Sequence, residues 1–308
     1  MEISFLIVSY NSCDVTLACV KHILSSVPPG TEFEIIVVDN NSSDETVAIL
    51  TKEVPCVRIV VNPNNRGYGS AHNIGVAHAN GEILFLLNSD FFINSFSVRA
   101  ALDALRTEPD QIMGFQLLFQ SGTPQRCVGV MPGLFDLIMD LTALKPLAYK
   151  ISLKAGSGAN TREVRRGFYL SGAGVAICAK MFVSIGGFDE IFFFFAEDSD
   201  LCFQASRKGL RQNVCIGDPC IHFGGYATKK VDSNYAFKSQ NYVTSYLKFC
   251  QKNRSKVAYA AVRLLLPIKF TLYGFCFFLL SRKSNAAPEK YQFQFACLKQ
   301  YFSRDRLQ

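Results

Sequence analysis

The chain has 308 residues, of which 49% are hydrophobic, 13% aromatic and 19% charged. This composition excludes a disordered chain. The sequence contains no repeat of 20–50 residues, which would indicate a solenoid or a propeller. The formal net charge of +7 is unevenly divided, because residues 1–202 carry 14 basic and 21 acidic side chains whereas residues 203–308 carry 18 and 4. The basic C-terminal third favours a polyanionic partner or an anionic membrane surface, with a merely solvated basic face as the alternative. No nucleic-acid-binding motif accompanies the charge, so we expect no nucleic-acid partner.

The cysteines and the N-terminus both indicate the cytoplasm. The eleven cysteines are an odd number and form no CxxC pair, which favours free thiols in a reducing compartment. Met1 leads directly into an apolar run, without the basic region or the cleavage site of a signal peptide. We therefore expect a cytoplasmic protein.

Strands and helices alternate through the first ninety residues. The predicted strands are Ile3–Ser9, 33–38, 57–61 and 82–87, and the predicted helices are residues 12–26, 43–53 and 69–79. This alternation predicts an α/β fold with a mostly parallel central sheet and helices on both faces. Ligands of such sheets bind at the carboxyl ends of the strands. Three polar segments follow predicted strands there: residues 9–11, 39–41 and 88–90.

The glycines at positions 67 and 69 do not indicate a dinucleotide site. They follow the third predicted strand, whereas the dinucleotide-binding fingerprint follows the first. Hydride transfer is therefore excluded as a leading function.

Several segments together resemble the family 2 inverting glycosyltransferases. They read SFLIVSYNS, IIVVDNNSSDET, NPNNRGYGSAHNIGVAHANGEILFLLNSD and LSGAGVAICAKMFVSIGGFDEIFFFFAEDSDLCFQASRKG, and IHFGGYAT resembles the HxxG element of that family. The resemblance covers about residues 2–228 and is nearest to the bacterial rhamnosyltransferase-like branch. It implies the GT-A fold of nucleotide-diphospho-sugar transferases over residues 1–228, with a nucleotide-binding half (1–90) and an acceptor half (91–228). Residues 229–308 would then form a basic, apolar, helical and membrane-associating appendage.

The same resemblance implies a donor site, a metal site and a catalytic base. The implied donor-site residues are Tyr10, Asn11, Asp39, Arg66, Gly67, Asn73, Asn88 and Asp90. Asn88-Ser89-Asp90 stands where the family has its DxD metal motif, so Asp90, together with His222, would hold Mn²⁺ or Mg²⁺. Asn88 is a neutral replacement of the first acid, which weakens the expected metal affinity. Asp198 matches the catalytic base, and Glu197 would support it or bind the acceptor.

The chemistry of glycosyl transfer requires the same groups. The departing nucleoside diphosphate gains negative charge, which a divalent ion stabilises as a Lewis acid. A carboxylate must also deprotonate the attacking hydroxyl of the acceptor, and general-base catalysis of this kind contributes about 10²–10⁴-fold. Direct attack in a single step inverts the anomeric centre.

Our leading hypothesis is a metal-dependent, inverting glycosyltransferase that makes a cell-surface glycan such as O-antigen. The nucleotide-sugar donor would be dTDP-rhamnose first and a UDP-hexose second, and the acceptor lipid-linked or a polysaccharide. Two alternatives stay open: a nucleotidyltransferase on a related sheet, and a degenerate relative that serves as a scaffold in glycan assembly. A homodimer is also compatible with the sequence.

The apolar stretch at residues 257–280 predicts contact with a membrane. A helix that spans a bilayer needs about 20 apolar residues, and this stretch is interrupted by Arg263, Pro267 and Lys269. Arg282 and Lys283 follow it. The pattern favours an interfacial segment that holds the protein peripherally on the inner face of the cell membrane. A buried helical hairpin is the alternative.

Overall fold

The structure, a computed structural model, describes residues 1–156, 158, 160–224, 235–283 and 288–304. The strands are β1 Ile3–Ser9, β2 Phe33–Asp39, β3 Arg58–Val61, β4 Ile83–Asn88, β5 Phe91–Phe92, β6 Gln111–Leu118, β7 Pro124–Gln125, β8 Val128–Val130, β9 Leu153–Ala155, β10 Thr161–Val164, β11 Phe168–Leu170, β12 Gly174–Cys178 and β13 Arg211–His222. The helices are α1 Cys13–Ser26, α2 Thr46–Glu53, α3 Tyr68–Val76, α4 Ser95–Thr107, α5 Leu134–Leu141, α6 Lys145–Lys150, α7 Ala179–Ser184, α8 Glu197–Arg207, α9 Tyr235–Asn253, α10 Lys256–Lys283 and α11 Pro288–Arg304.

One large sheet organises the fold, with the strand order β3-β2-β1-β4-β12-β6-β13-β10-β9. The pairs β1–β2, β1–β4 and β2–β3 are parallel, which confirms the predicted parallel first half. β12 lies antiparallel between β4 and β6, and β13 returns to run parallel with β6. The sheet is therefore mixed, and its parallel carboxyl ends meet beside β12.

The predicted elements of the first ninety residues are confirmed to within a few residues at their ends. β1 begins and ends as predicted, and six of its seven residues are buried. An uninterrupted apolar strand is expected where helices cover both faces of a sheet. The helices predicted at residues 43–53 and 69–79 are shorter, as α2 and α3, because their first or last residues form loops.

Alternate residues of β1 enter two separate cores. Ile3, Phe5 and Ile7 pack with the core that includes α1 and α4. Leu6 packs on the opposite face, in the core that includes α8, α9 and part of α10. The two-residue period of the strand thus divides the hydrophobic side chains between the two layers of helices.

The C-terminal helices pack on the second core. Val243, Phe249, Val262, Leu266 and Phe270 are buried in it. α10 is continuous through Pro267. Within the described residues it is the one helix long and apolar enough to cross a membrane: an 18-residue window inside Lys256–Ser281 has a mean hydropathy of 1.8, and 22% of that window is buried. The predicted boundary at residue 228 and the glycine of the HxxG element, Gly225, lie outside the described residues.

Candidate active site

Asp39 ends β2 at the carboxyl edge of the sheet and is 1% exposed. Its Oδ2 accepts a hydrogen bond from the backbone N–H of Ser42 at 2.9 Å. Its Oδ1 is buried and has no hydrogen-bond partner among the described residues. A buried polar atom without a partner is destabilising, so this oxygen is suited to accept from an N–H or O–H of a ligand. That chemistry fits the base or ribose of a nucleotide.

Asn11 joins the loop after β1 to the loop after β2. Its Oδ1 accepts from the N–H of Ser43 at 2.7 Å, and its own N–H donates to Ser42 Oγ at 2.9 Å. Its φ of 49° lies in the left-handed region, which asparagine tolerates better than most residues. Tyr10, next to it, is half-buried. Both residues therefore lie at the same edge as Asp39.

The segment Asn88-Ser89-Asp90 and His222 meet because β5 pairs with the end of β13. The register places His222 opposite Phe91, one residue beyond Asp90. His222 Nε2 lies 3.2 Å from Asp90 Oδ1 and 3.1 Å from Asn88 Nδ2. The other ring nitrogen, Nδ1, lies 3.0 Å from Gln125 Oε1. The structure thus brings together the proposed metal ligands, which are 132 positions apart in the sequence.

The donor set at Asp90 and His222 fits a divalent cation. Adjacent ligands that each lie about 2.1 Å from an octahedral ion are separated by about 3.0 Å, close to the 3.2 Å found between these two side chains. A carboxylate with an imidazole suits Mn²⁺, and Mg²⁺ retains waters beside a single carboxylate. Among the described residues no cluster of three His, Cys, Asp or Glu side chains could hold a metal alone. Water and the diphosphate of a donor would complete such a site.

Arg66 and Asn73 contact the loop at residues 186–195 rather than the cavity described below. Arg66 forms an ion pair with Glu190 at 3.0 Å, and both side chains are about half exposed. The amide of Asn73 donates to the carbonyl of Phe188 at 2.8 Å and accepts from its N–H at 3.0 Å. Both residues therefore position the loop that leads to Glu197 and Asp198, and a direct contact with the donor stays a prediction.

Gly67 stands at a position that only glycine can occupy. Its φ is +87°, and a Cβ there would lie 2.2 Å from the carbonyl oxygen of Phe193. Tyr68 follows, and its backbone N–H donates to the same oxygen at 3.3 Å. The start of α3 is thereby held directly against the aromatic run, the four phenylalanines at residues 192–195.

Glu197 and Asp198 begin α8 and share one electrostatic environment. Asp198 Oδ2 accepts from the N–H of Gly172 at 3.1 Å, and its Oδ1 accepts from the N–H of Ser199 at 2.7 Å. Burial raises the pKa of Asp198 above that of an ordinary aspartate, although these N–H groups oppose the shift. Burial, and then the charge of Asp198, raise the pKa of Glu197 further. The negative charge of the pair therefore resides on Asp198, with Glu197 protonated.

The backbone before these acids is strained. Phe195 and Ala196 have φ values of 67° and 65°, in the left-handed region that side chains other than glycine rarely adopt. Strain of this kind persists where surrounding contacts hold it, often at functional sites. Here Ser245 of α9 donates to the carbonyl of Phe194 at 2.9 Å.

Asp200 is a buried acid near the start of α8 whose partners come from α9. It is 1% exposed, and its Oδ2 lies 2.7 Å from Lys252 Nζ. Its Oδ1 accepts from Asn253 Nδ2 at 2.7 Å. Lys252 also reaches Asp189 at 2.6 Å, so this one lysine of α9 ties the start of α8 to the turn before the aromatic run.

A cavity of about 280 Å³ opens beside the two acids. Its wall includes Glu197, Asp198, Asp136 and Lys145 and the aromatic residues Tyr149, Tyr169, Phe194, Phe195, Tyr242 and Tyr246. Aromatic faces together with a few polar groups are typical of a site for a sugar ring. We call it the acceptor cavity, after the role that we propose for it.

Three contributors to the site were not predicted from the sequence. Tyr68 Oη donates to the carbonyl of Gly172 at 2.7 Å, and so holds the residue whose N–H binds Asp198. Tyr242 and Tyr246 come from α9, in the part of the chain that the resemblance does not cover. The position of Tyr68 between two glycines, in the segment GYG, was a signal that could have indicated its role. The polar and aromatic residues of α9, in contrast, form a pattern like that of an ordinary surface helix.

Comparison with known proteins defines the class to which these features belong. Residues 4–139 match the model of Glycosyl transferase family 2. The mannosyltransferase PcManGT from Pyrobaculum calidifontis, solved in complex with GDP-Man and Mn²⁺, has a TM-score of 0.54 at 15% identity, covering 99% of this chain and 86% of its own. Likeness at this identity shows the fold, which is GT-A. The chain therefore has the GT-A fold, and its residues 4–139 are similar to Glycosyl transferase family 2.

Two curated relatives have roles in glycan synthesis. The low-salt glycan biosynthesis hexosyltransferase Agl10 of Haloferax volcanii is 25% identical over 239 residues, which are 76% of this chain and 71% of the relative. The O-antigen biosynthesis protein RfbC of Myxococcus xanthus is 29% identical over 220 residues, which are 70% of this chain and 16% of RfbC. This chain thus corresponds to a small part of the longer relative.

Proposed function

We propose that this chain is an inverting glycosyltransferase that moves a sugar from a nucleoside-diphosphate donor to a hydroxyl of a glycan acceptor. One observation carries the proposal. The backbone at Gly172 and Ala173 contacts both halves of the site, because Gly172 N–H donates to Asp198 and Ala173 accepts from the N–H of Asn88 at 2.9 Å. Adjacent Cα atoms are about 3.8 Å apart, so the metal motif and the base are held by neighbouring residues.

Asp198 acts as the base in this proposal. It is ionised while Glu197 is protonated, and it lines the acceptor cavity. It takes the proton of the acceptor hydroxyl as the oxygen attacks the anomeric carbon and the bond to the diphosphate breaks. Attack from the face opposite to the leaving group inverts that carbon. The two N–H groups that bind Asp198 fix its orientation before the proton moves.

In this proposal Glu197 binds the acceptor and does not take the proton of its attacking hydroxyl. Its Oε2 is buried and has no hydrogen-bond partner among the described residues, yet the side chain lines the cavity. A protonated carboxyl can donate one hydrogen bond and accept others. It is therefore suited to hold a second hydroxyl of the acceptor without adding a negative charge beside Asp198.

The donor binds at the other edge of the site, at the carboxyl ends of the strands. Asp39 accepts from the base or ribose, and Asp90 and His222 would hold Mn²⁺ or Mg²⁺. Such an ion, when bound, neutralises the diphosphate as it leaves. The names of Agl10 and RfbC support a hexosyl donor and a cell-surface glycan as product. Rhamnose is a 6-deoxyhexose, so dTDP-rhamnose is the first donor to test and UDP-hexoses are the second.

A donor titration tests the proposal. The full chain is titrated by calorimetry with dTDP-rhamnose, UDP-glucose, UDP-galactose, UDP-N-acetylglucosamine and GDP-mannose, in Mn²⁺ and again in EDTA. We expect one donor to bind at least about tenfold more tightly than the others, and only with the metal. Equal binding in EDTA would remove Asp90 and His222 as metal ligands. Binding of none of the five donors would overturn the proposed function and favour the scaffold alternative.

A further inference from the structure

The helices α5 and α6 have two unlike faces. On one face Asp136, Lys145 and Tyr149 line the acceptor cavity. On the other face five large apolar side chains are exposed to between 42% and 55%: Phe135, Ile138, Leu144, Leu147 and Ile151. We call residues 134–151 the apolar lip. So dense a set of exposed apolar side chains marks a surface that binds a partner or a membrane.

The lip is anchored from inside and is not a loose loop. Lys145 Nζ lies 2.6 Å from Asp136 and 3.0 Å from Asp140, and both carboxylates are buried. Lys269 of α10 reaches Asp140 at 2.7 Å. Leu137 and Ala148 are buried in the core below. The exposure of the outer side chains is therefore imposed by the packing of the inner face.

The surroundings of the lip are strongly basic. Residues 141–166 contain six lysines and arginines and one acid, Glu163. Lys150, Arg165 and Arg166 are exposed, and the N–H of Arg165 donates to the carbonyl of Ser152 at 2.8 Å, directly beside Ile151. Apolar side chains rimmed by cations match a lipid surface with anionic headgroups. Two copies of the chain would instead bring like charges together.

α10 adds a second uncharged surface beside the lip. It packs on α5, where Tyr273 Oη donates to the carbonyl of Asp140 at 2.9 Å. Between residues 257 and 280, all of which the structure describes, no exposed side chain carries a charge. The exposed set is Val257, Ala260, Leu264, Ile268, Thr271, Leu272, Phe275, Cys276, Leu279 and Leu280.

We propose that the apolar lip docks the protein on an anionic lipid surface and that the acceptor is therefore lipid-linked. The inference rests on the proposed function, because it assigns the acceptor cavity. The same two helices form part of the wall of that cavity and the lipid-facing surface, so a glycan would reach Asp198 while its lipid anchor stays in the bilayer.

Vesicle co-sedimentation tests the lip. The full chain is mixed with vesicles of phosphatidylcholine alone and of phosphatidylcholine with 30% phosphatidylglycerol. We expect binding to the anionic vesicles that weakens with salt, and a loss of at least about tenfold in Leu147→Glu and in Ile138→Glu. Val183→Glu is the matched control, because Val183 is 68% exposed on α7, outside the lip, and the change adds the same charge. Equal vesicle binding by all four proteins would overturn the proposal.

Two further measurements separate the possible failures. The donor titration is repeated on each variant, and we expect unchanged affinity, since the lip does not touch the donor edge. If the protein binds a donor but Leu147→Glu does not reduce vesicle binding, the role of the lip alone is refuted. If no donor binds, the proposed function is refuted. Sedimentation velocity without lipid is the second measurement. A dimer that Leu147→Glu dissociates would replace the membrane with a second copy as the occupant.

Discussion

The donor edge and the acceptor side of this molecule position their polar groups in different ways. At the donor edge, Asp39 ends β2 and Asp90 lies two residues after β4, and both strands pair in parallel with β1, so the regular sheet places both acids at one edge. On the acceptor side, Asp198 depends on a loop with two left-handed residues and on contacts from α9. Groups at strand ends are thus fixed by the sheet itself, whereas Asp198 is fixed by contacts of a loop with other segments. The donor edge should therefore tolerate changes elsewhere better than the acceptor side.

The largest expected effect separates binding from catalysis. Asp198→Asn keeps the size of the side chain and removes the base, so we expect the transfer rate to fall by about 10²–10⁴-fold. Donor affinity should stay within about twofold, because the donor edge is untouched. The readouts are release of nucleoside diphosphate with acceptor present and calorimetric donor binding. Asp103→Asn, at a mostly exposed acid on α4, is the matched control. Retained activity in Asp198→Asn would show that another group is the base.

Substitutions at two glycines test how closely the donor edge and the acceptor side contact each other. Gly67 and Gly30 have φ values of +87° and +84°, but a Cβ at Gly30 meets nothing within 4 Å. Gly30→Ala should lower the free energy of unfolding by about 1–2 kcal/mol, from backbone strain alone. Gly67→Ala should lower it by at least about 3 kcal/mol, because its Cβ also displaces the carbonyl of Phe193. Chemical denaturation measures both, and equal losses would contradict the contact.

A change at the proposed metal site should weaken donor binding and not acceptor binding. Asp90→Ala removes the carboxylate of the pair, so we expect donor affinity in Mn²⁺ to fall at least about tenfold, towards its value in EDTA. Asp103→Ala, a mostly exposed acid on α4, should leave the affinity unchanged. Calorimetry in the two buffers measures the effect. An Asp90→Ala protein that still needs Mn²⁺ for tight binding would place the ion elsewhere.

The smallest effect concerns pH. Burial raises the pKa of Asp198, and the base must be ionised to accept a proton. Activity should therefore be lost as the pH falls through this raised pKa, so the acid limb lies above the usual aspartate range near 4. The profile of kcat/KM against pH measures it. An acid limb near pH 4 would contradict the burial of the pair.

The sequence predicted much of the fold, and with it which polar residues lie at the carboxyl edge of the sheet, for a physical reason. Ile3–Ser9 is an uninterrupted apolar run, and such a strand between two layers of helices has few alternatives. The polar residues that follow it then fall at the ligand-binding edge. Asp90 and His222 could be paired only through the family resemblance, because the register of β5 with β13 is not visible in local pattern.

The acceptor side was less predictable because its geometry is not local. The N–H of Gly172 binds Asp198, 26 positions further along the chain, and a Cβ at Gly172 would lie 3.0 Å from the Cβ of Asp198. Nothing in the sequence of α9 indicated that Tyr242 and Tyr246 would reach the cavity. Such contacts follow from the packing of whole helices, which local propensity does not determine.

The tie from Lys252 to Asp189 and Asp200 sets limits on recombining this enzyme with its relatives. A chimera that exchanges the acceptor half but ends before α9 would separate the lysine from the two acids that it bridges. The buried carboxylate of Asp200 would then lose its cation, which is strongly destabilising. Crossover points in engineered hybrids should therefore fall before residue 171 or after residue 253, so that α8 and α9 are inherited together.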